Sequence, residues 1–207
     1  MSHPDHRPPT AKAAALPASR WNATDLSLVA VFAAMVAASI MVPPIPAGNV
    51  LGVPLTLQTL VVTLTGLTLG AARAAAAVGL YVVVGLAGLP IFAGFNGGLG
   101  VLAGGSAGYL VSFPLAAAVV GALAALAVRS RARFRGLGLF GATLAGLVVT
   151  HGLGILGMMV NGHLSLSAAV LADMPFIPGD IVKNLAAVFV ALALHRAFPD
   201  LLVRRRR

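Results

Sequence analysis

An acidic and a basic residue lie three positions apart in the last apolar segment of the chain, which begins FIPGDIVKNLA. Asp180 and Lys183 share one face if this segment is helical, because residues three apart are neighbours on a helix. A lysine inside a membrane span costs roughly 2.5–3.5 kcal/mol on insertion scales, and such residues are functional by default. A carboxylate acceptor and a cationic donor about a turn apart suit a small solute with amide-like N–H groups and a carboxylate. The alternative is a buried ion pair that only locks helices together.

A glycine-rich stretch, FAGFNGGLGVLAGGSAGY, occupies residues 92–109. Glycine allows close backbone approach, and the stretch contains no charge. It is therefore expected to fold back into the outer half of a bundle, with N–H groups lining a polar pocket. Asn96 and Tyr109 would supply side-chain hydrogen bonds there. The alternative is a flexible linker.

The segment GVPLTLQTL, residues 52–60, leads into a further apolar run. Thr56 and Gln58 diverge on a helix but share a face if the chain is extended, since side chains alternate in a strand. Gln58 then reaches a pocket from a covering loop; the alternative is helix capping with one buried glutamine bonded to a neighbour. His151 lies in another apolar run, where a lone hydrogen-bonded histidine is favoured over a proton relay.

Composition limits the class of protein. Of the 207 residues, 59% are hydrophobic and 9% are charged, whereas a soluble domain carries roughly 25% charged residues. This balance predicts an integral membrane protein. The absence of cysteine excludes disulfides and thiolate metal sites. There is no G-x-x-x-x-G-K-[ST], no H-E-x-x-H and no evident nucleophile–base pair. We therefore expect no enzyme, no ATPase site, no metal and no cofactor bound by this chain.

The distribution of basic residues predicts the topology. All fourteen except Lys183 fall in the N-terminal tail, at Arg73, in the RSRARFR loop or at the C-terminal end. By the positive-inside rule, both termini are cytoplasmic. An RNA-binding face would need basic residues interleaved with aromatics on a folded surface, whereas these residues sit at membrane exits. The pattern therefore argues against nucleic acid and leaves lipid as the surroundings. The predicted fold is an all-α, multi-pass protein of the cell membrane with six transmembrane helices, at about 26–43, 55–70, 73–92, 106–128, 137–160 and 178–197.

The same pattern divides the chain into three parts. Residues 1–25 are expected to form a disordered cytoplasmic tail, 26–197 the six-helix membrane domain and 198–207 a basic cytoplasmic tail. The second span is short and flanked by Pro54 and Gly70, which is tolerated where protein or a cavity satisfies its backbone.

Small residues repeat along the first span, LVAVFAAMVAASI. Ala30, Ala34 and Ala38 recur every four residues and so form one ridge without bulk. Small residues at this spacing let another helix approach closely. The partner is either a helix of this chain or another protein, and we favour docking of another protein.

Three of these segments carry a resemblance to a known family. GVPLTLQTL, then GLPIFAGFNGGLGVLAGGSAGYLVSFPLAA, then FIPGDIVKN resemble BioY, the biotin-binding S component of energy-coupling factor (ECF) transporters. The resemblance covers most of residues 26–197. The glycine-rich block followed by Tyr-Leu-x-x-Phe-Pro and the Pro-Gly-Asp-x-x-Lys ending are its most specific parts.

The resemblance implies a fold, a ligand and partners. Such proteins have six transmembrane helices, bind a vitamin near the outer face under the loop between the first two helices, and use an Ala-x-x-x-Ala surface to dock on a transmembrane coupling protein. Two ATP-binding-cassette ATPases bind that coupling protein and power import. The ridge of Ala30, Ala34 and Ala38 corresponds to the docking surface. The candidate ligand-binding residues are Asp180, Lys183, Asn96, Gly97, Gly98, Tyr109 and Gln58.

Biotin also fits the residues themselves. Asp180 can accept hydrogen bonds from the ureido N–H groups, while Lys183 can meet the carboxylate or the ureido oxygen. The alternative is a stand-alone, ion-coupled transporter of another small anionic or amide-bearing solute. The scarcity of acidic residues argues against ion coupling, which usually needs buried carboxylates. An intramembrane enzyme would need a catalytic constellation, and none is apparent.

Overall fold

The computed structural model describes residues 21–46, 48–128 and 132–198, without the side chains of 132 and 133. Most of the described residues are helical, which confirms the predicted all-α class. Two short antiparallel strands, β1 (Ile45–Pro46) and β2 (Pro54–Leu55), lie between the first two helices. The helices are α1 (Ala23–Ala38), α2 (Gln58–Leu69), α3 (Ala71–Leu86), α4 (Ala107–Ala127), α5 (Ala132–Asn161), α6 (Leu166–Asp173) and α7 (Phe176–Ala197).

Each predicted span overlaps one helix, and α6 is an additional short helix within the predicted loop before α7. The start of α1 lies three residues earlier than the predicted span. Asn22 caps it: the Asn22 side chain accepts from the Asp25 N–H at 2.9 Å, and Asp25 accepts in return from the Asn22 N–H. This reciprocal box satisfies N–H groups that a helix start leaves free. The remainder of the predicted tails, 1–20 and 199–207, lies outside the described residues.

Helix length separates four helices from two others. Within the described residues, the helical stretches Ala23–Met41, Ala107–Ala127, Phe134–Asn161 and Phe176–Ala197 are long and apolar enough to cross a membrane. The apolar helices α2 and α3 have 12 and 16 residues, or about 18 and 24 Å at 1.5 Å per residue, against a hydrocarbon core of about 30 Å. The count of six spans therefore remains a prediction.

The short helix α2 is the central element of the bundle. It packs against α3, α4 and α7, and its residues from Val62 to Leu69 are all buried. Gly70 then joins it directly to α3 with a positive φ of 77°, a conformation that favours glycine. A helix surrounded by protein in this way can stop short of the bilayer surface, because its neighbours satisfy its ends.

Helices α4 and α5 form the most extensive pair in the bundle. Gly108 of α4 and Gly157 of α5 face each other so closely that a Cβ on either would collide with the backbone of the opposite helix. This contact fixes the start of α4 against the second half of α5. It thereby sets the positions of Tyr109 and of His151 relative to each other.

Candidate functional site

A cavity of about 590 Å³, including its open mouth, lies at the end of the bundle where α2, α4 and α7 begin. Its wall combines apolar and aromatic side chains with a small polar group. The lining residues are Val53, Pro54, Leu55, Thr56, Gln58, Thr59, Tyr81, Phe92, Ala93, Val101, Ser106, Tyr109, Leu110, Phe113, Phe176, Asp180 and Lys183.

Aromatic rings build the apolar part of the cavity. Tyr81 and Phe92 meet edge to face, with ring centroids 5.4 Å apart, and Tyr109 and Phe176 lie 5.8 Å apart. Such pairs are the preferred aromatic arrangements. Gly85 makes room for the Phe92 ring, since a Cβ there would overlap it. The rings are therefore held in place before any solute enters.

Asp180 and Lys183 form the polar end of the cavity. The predicted i,i+3 relationship is confirmed: Lys183 Nζ lies 2.6 Å from Asp180 Oδ1. Thr59, from α2, donates to the same oxygen at 2.9 Å. The pair is thus shared between α7 and α2, and the side chains of Lys183 and Asp180 are only 15% and 10% exposed. Charge-assisted hydrogen bonds are strong in such surroundings.

Two further residues, His151 and Asp173, complete this group, and their meeting was not predicted from the sequence. His151 of α5 lies between two carboxylates, with Nδ1 2.7 Å from Asp173 Oδ1 and Nε2 3.1 Å from Asp180 Oδ2. Tyr109 donates its hydroxyl hydrogen to Asp173 Oδ1 at 2.5 Å. His151 is thus hydrogen-bonded, as expected, but to two carboxylates. A signal was present: an Asp in an apolar segment needs a partner, and Asp173 follows an apolar run.

Gln58 combines parts of both interpretations of its segment: it lines the cavity, but from the helix α2, and it is bonded to a neighbour without capping that helix. It is the first residue of α2 and is buried, and its side chain donates to the Tyr81 hydroxyl. Thr56 donates to Gln58 Oε1 at 3.2 Å. Gln58 therefore lines the cavity while it is bonded to neighbours, and it links the covering segment to the aromatic wall.

The glycine-rich stretch contributes the expected Tyr109 to the cavity wall, but not the other residues expected of it. Val101 and Ser106 line the cavity, whereas Asn96, Gly97 and Gly98 do not. The exposed Asn96 donates to the Ala93 carbonyl at 2.8 Å, and the Gly98 N–H donates to the Gly85 carbonyl at 2.8 Å. These contacts build the turn that precedes the cavity wall. Their ligand-binding role remains a prediction.

The stretch is not a flexible linker but is tied to the bundle. The Asn161 side chain, at the end of α5, donates to the carbonyls of Leu102 and Gly104 at 2.8 and 2.9 Å. The stretch therefore folds onto the end of the bundle, as predicted.

The predicted alanine ridge lies on the surface. Ala30, Ala34 and Ala38 are exposed along one side of α1, whereas Ala33 and Val36 on the opposite side are buried. The ridge therefore does not pack against another described helix of this chain. It remains free for lipid or for another protein.

The polar group has the capacity to bind a solute. A carboxylate offers about four acceptor positions, and Asp180 receives donors from Lys183, Thr59 and His151, which leaves a place for an N–H group. Among the described residues, no three His, Asp or Glu side chains converge in a metal-binding arrangement. The cavity is therefore suited to a small solute with an N–H donor and an apolar body.

Comparison with known proteins identifies the family. The model of the BioY family matches residues 11–200. The chain belongs to the BioY family. The biotin transporter BioY of Rhodobacter capsulatus is 39% identical over 193 residues, covering 87% of this chain and 98% of that protein. The biotin transporter BioY of Rhizobium etli is 35% identical over 183 residues, covering 87% of this chain and 97% of that protein.

A solved structure agrees with this assignment at the level of the fold. The crystal structure of the S component for biotin from an ECF-type ABC transporter matches with a TM-score of 0.75 at 23% identity, over 84% of this chain and 91% of that one. The resemblance to BioY deduced from the sequence is confirmed. With its long apolar helices, this BioY-family chain is a multi-pass membrane protein.

Proposed function

We propose that this chain is the biotin-binding S component of an ECF-type importer in the cell membrane. Its family and the names of its relatives, biotin transporters, support this proposal. It is a transport protein, not an enzyme, and biotin is its transported ligand. The comparisons do not favour the alternative, a stand-alone transporter of another solute.

The observation that carries the proposal is the cavity with a charged pair at one end and aromatic rings along its wall. Asp180 accepts a hydrogen bond from a ureido N–H group of biotin. Lys183 meets either the ureido oxygen or the carboxylate, and Gln58 and Tyr109 add polar contacts beside the rings. The rings enclose the apolar thiophane ring and the valeryl chain. Asn96, Gly97 and Gly98 would contribute only if the turn that they form closes over the bound solute.

Six membrane-spanning helices with both termini in the cytoplasm form the second part of the proposal. The described arginines Arg73, Arg135 and Arg196 lie near helix ends opposite to the cavity. By the positive-inside rule, that end faces the cytoplasm and the cavity opens outward. The short helices α2 and α3 then complete the count of six inside the bundle, while α6 stays at the outer surface.

The third part of the proposal concerns partners. The exposed ridge of Ala30, Ala34 and Ala38 offers a surface on which another helix can pack closely. A transmembrane coupling protein docks there, and two ABC-type ATPases on that protein supply the energy. The sequence contains no nucleotide-binding motif of its own, so ATP must act through such a contact.

Binding of radiolabelled biotin to the purified chain in detergent tests the proposal. We expect saturable binding, weakened about ten- to a hundred-fold by Asp180→Asn, since a hydrogen bond to a charged group contributes about 1.5–3 kcal/mol. Biotin methyl ester, as competitor, separates the two roles of Lys183. Equal competition by the ester and by free biotin assigns Lys183 to the ureido oxygen. Absence of saturable binding by the wild-type chain would refute biotin as the ligand.

A further inference from the structure

Four titratable side chains form one continuous chain beside the cavity. Asp173, His151, Asp180 and Lys183 are joined in that order by contacts of 2.7, 3.1 and 2.6 Å. They come from α6, α5 and α7, so this series of side chains connects three helices. Asp173, His151 and Asp180 are 3%, 5% and 7% exposed, so that water does not screen their interactions. Of the four, only Asp180 and Lys183 line the cavity.

The hydrogen-bond pattern of these four side chains limits where their protons can lie. Both ring nitrogens of His151 face carboxylate oxygens, and a carboxylate accepts but does not donate. A neutral imidazole carries only one N–H, so it would leave one of these contacts without a hydrogen. With both carboxyl groups ionised, the arrangement is completed by an imidazolium between them, giving charges that alternate from Asp173 to Lys183.

This series of four hydrogen-bonded side chains determines how Asp180 is presented to the cavity. Lys183 and Thr59 both contact Oδ1 of Asp180, whereas His151 contacts Oδ2. His151 thus prevents rotation of the carboxylate and keeps Oδ2 directed away from Lys183. Asp173 in turn holds the His151 ring, and Tyr109 holds Asp173.

Resting on the proposed function, we propose that His151 and Asp173 are positioning residues for the solute: His151 orients the Asp180 carboxylate that accepts the ligand N–H, and Asp173 orients His151. Neither lines the cavity, so both act on the ligand through Asp180. If the two residues have only a structural role, the biotin affinity of each variant should change in step with its stability. If they position Asp180, the biotin affinity should instead depend on which groups donate and which accept hydrogen bonds.

Amide substitutions separate these roles, because they preserve size and change the donors. In His151→Gln, the amide has one donor end and one acceptor end, and its acceptor end must face a carboxylate. In Asp173→Asn, a neutral His151 still donates to Asp180 and accepts from the new amide. In the double variant, the amide at position 173 donates to the amide at position 151, which in turn donates to Asp180. The double variant therefore restores a donor facing an acceptor at both ends of residue 151, whereas His151→Gln alone leaves two acceptors facing each other at one end.

The experiment measures biotin affinity in these three variants, with His163→Asn as control. His163 is exposed in the loop before α6 and has a φ of 51°, which Asn tolerates. We expect His151→Gln to weaken binding at least tenfold, and the double variant to return to within about threefold of Asp173→Asn, a coupling that a double-mutant cycle detects. Equal loss in His151→Gln and the double variant, or no loss in His151→Gln, overturns the proposal.

A second measurement does not depend on biotin. Nitrogen NMR of histidine-labelled protein should show two protonated ring nitrogens for His151 in the wild type and one in Asp173→Asn, with His151→Gln assigning the signal. A wild-type ring with one proton refutes the ionised arrangement, and with it the effect expected of the amide substitutions, even if biotin binds. If the wild type does not bind biotin, the proposed function and the ligand role of His151 both fail. If the wild type binds biotin but the variants do not behave as expected, only the positioning role of His151 and Asp173 fails.

Discussion

Lys183 Nζ lies 2.6 Å from the carbonyl oxygen of Thr56, in the segment that runs over the cavity between β2 and α2. The same ammonium donates to Asp180 at 2.6 Å and to Thr59 at 3.2 Å. An ammonium has three hydrogens, so all of them are used. A solute that takes one must displace a partner, and the two neutral partners are the Thr56 carbonyl and the Thr59 hydroxyl. Lys183 thus links the ligand site to the covering segment.

Replacement of Lys183 by alanine should loosen that segment and weaken ligand binding. The Thr56 carbonyl loses a charge-assisted contact of about 1.5–3 kcal/mol, so amide exchange in residues 51–57 should accelerate about ten- to a hundred-fold. Biotin affinity should fall by a comparable factor. Hydrogen exchange with mass spectrometry measures the first effect. Arg196→Ala, at an exposed position on the far end of α7, serves as control, and unchanged exchange in Lys183→Ala would contradict the link.

Gly154 and Gly152 of α5 form a matched pair for testing the aromatic wall. A Cβ at Gly154 would overlap the Tyr109 ring, whereas a Cβ at Gly152 meets nothing within 4 Å. Gly154→Ala should displace Tyr109 and cost about 1–3 kcal/mol of stability through overpacking. Biotin affinity should fall with it. Gly152→Ala should leave both unchanged, as thermal unfolding and biotin titration will measure; equal behaviour of the two variants would be inconsistent with the packing described.

Cysteine labelling tests the topology, since the sequence contains no native cysteine. Val50→Cys, Leu99→Cys and Ser167→Cys lie at exposed positions near the cavity end, and Phe198→Cys lies at the opposite end. An impermeant reagent added to intact cells should label the first three and not the fourth. Permeabilised cells provide the control for reactivity. Labelling of position 198 from outside would refute the cytoplasmic C-terminus.

A bulky residue on the alanine ridge should block the partner without affecting the ligand. Ala34 is exposed at the middle of α1 and does not line the cavity. Ala34→Trp should therefore abolish ATP-driven uptake by the full complex, because it holds the partner helix away and forfeits close contacts. Binding of biotin by the isolated chain should remain nearly intact.

Co-purification with the coupling protein, alongside uptake in vesicles, measures this effect. Leu126→Trp on α4, also at an exposed apolar position, is the matched control and should retain uptake. Normal co-purification and transport by Ala34→Trp would show that the coupling protein docks on a different surface.

Local spacing was sufficient for several features. Asp180 and Lys183 meet because they are three residues apart on one helix, and the ridge of Ala30, Ala34 and Ala38 follows from a repeat of four. The helices themselves follow from apolar runs long enough to require internal hydrogen bonding in lipid. Helix ends were less predictable: α1 begins at Ala23 because the side chains of Asn22 and Asp25 cap it, not because the apolar run starts there.

The composition and spacing of the sequence determined the membrane class, the helical fold, the charged pair and, through its motifs, the family. Only the tertiary structure decided which distant residues join that pair. His151 reaches Asp173 and Asp180 across 22 and 29 residues, and no periodicity within one helix encodes such a contact. It depends on how α6 and α7 pack against α5. The cavity wall likewise includes Val101 and Ser106 in place of Asn96, Gly97 and Gly98, because backbone hydrogen bonds in the turns, set by packing, decide which side chains face inward.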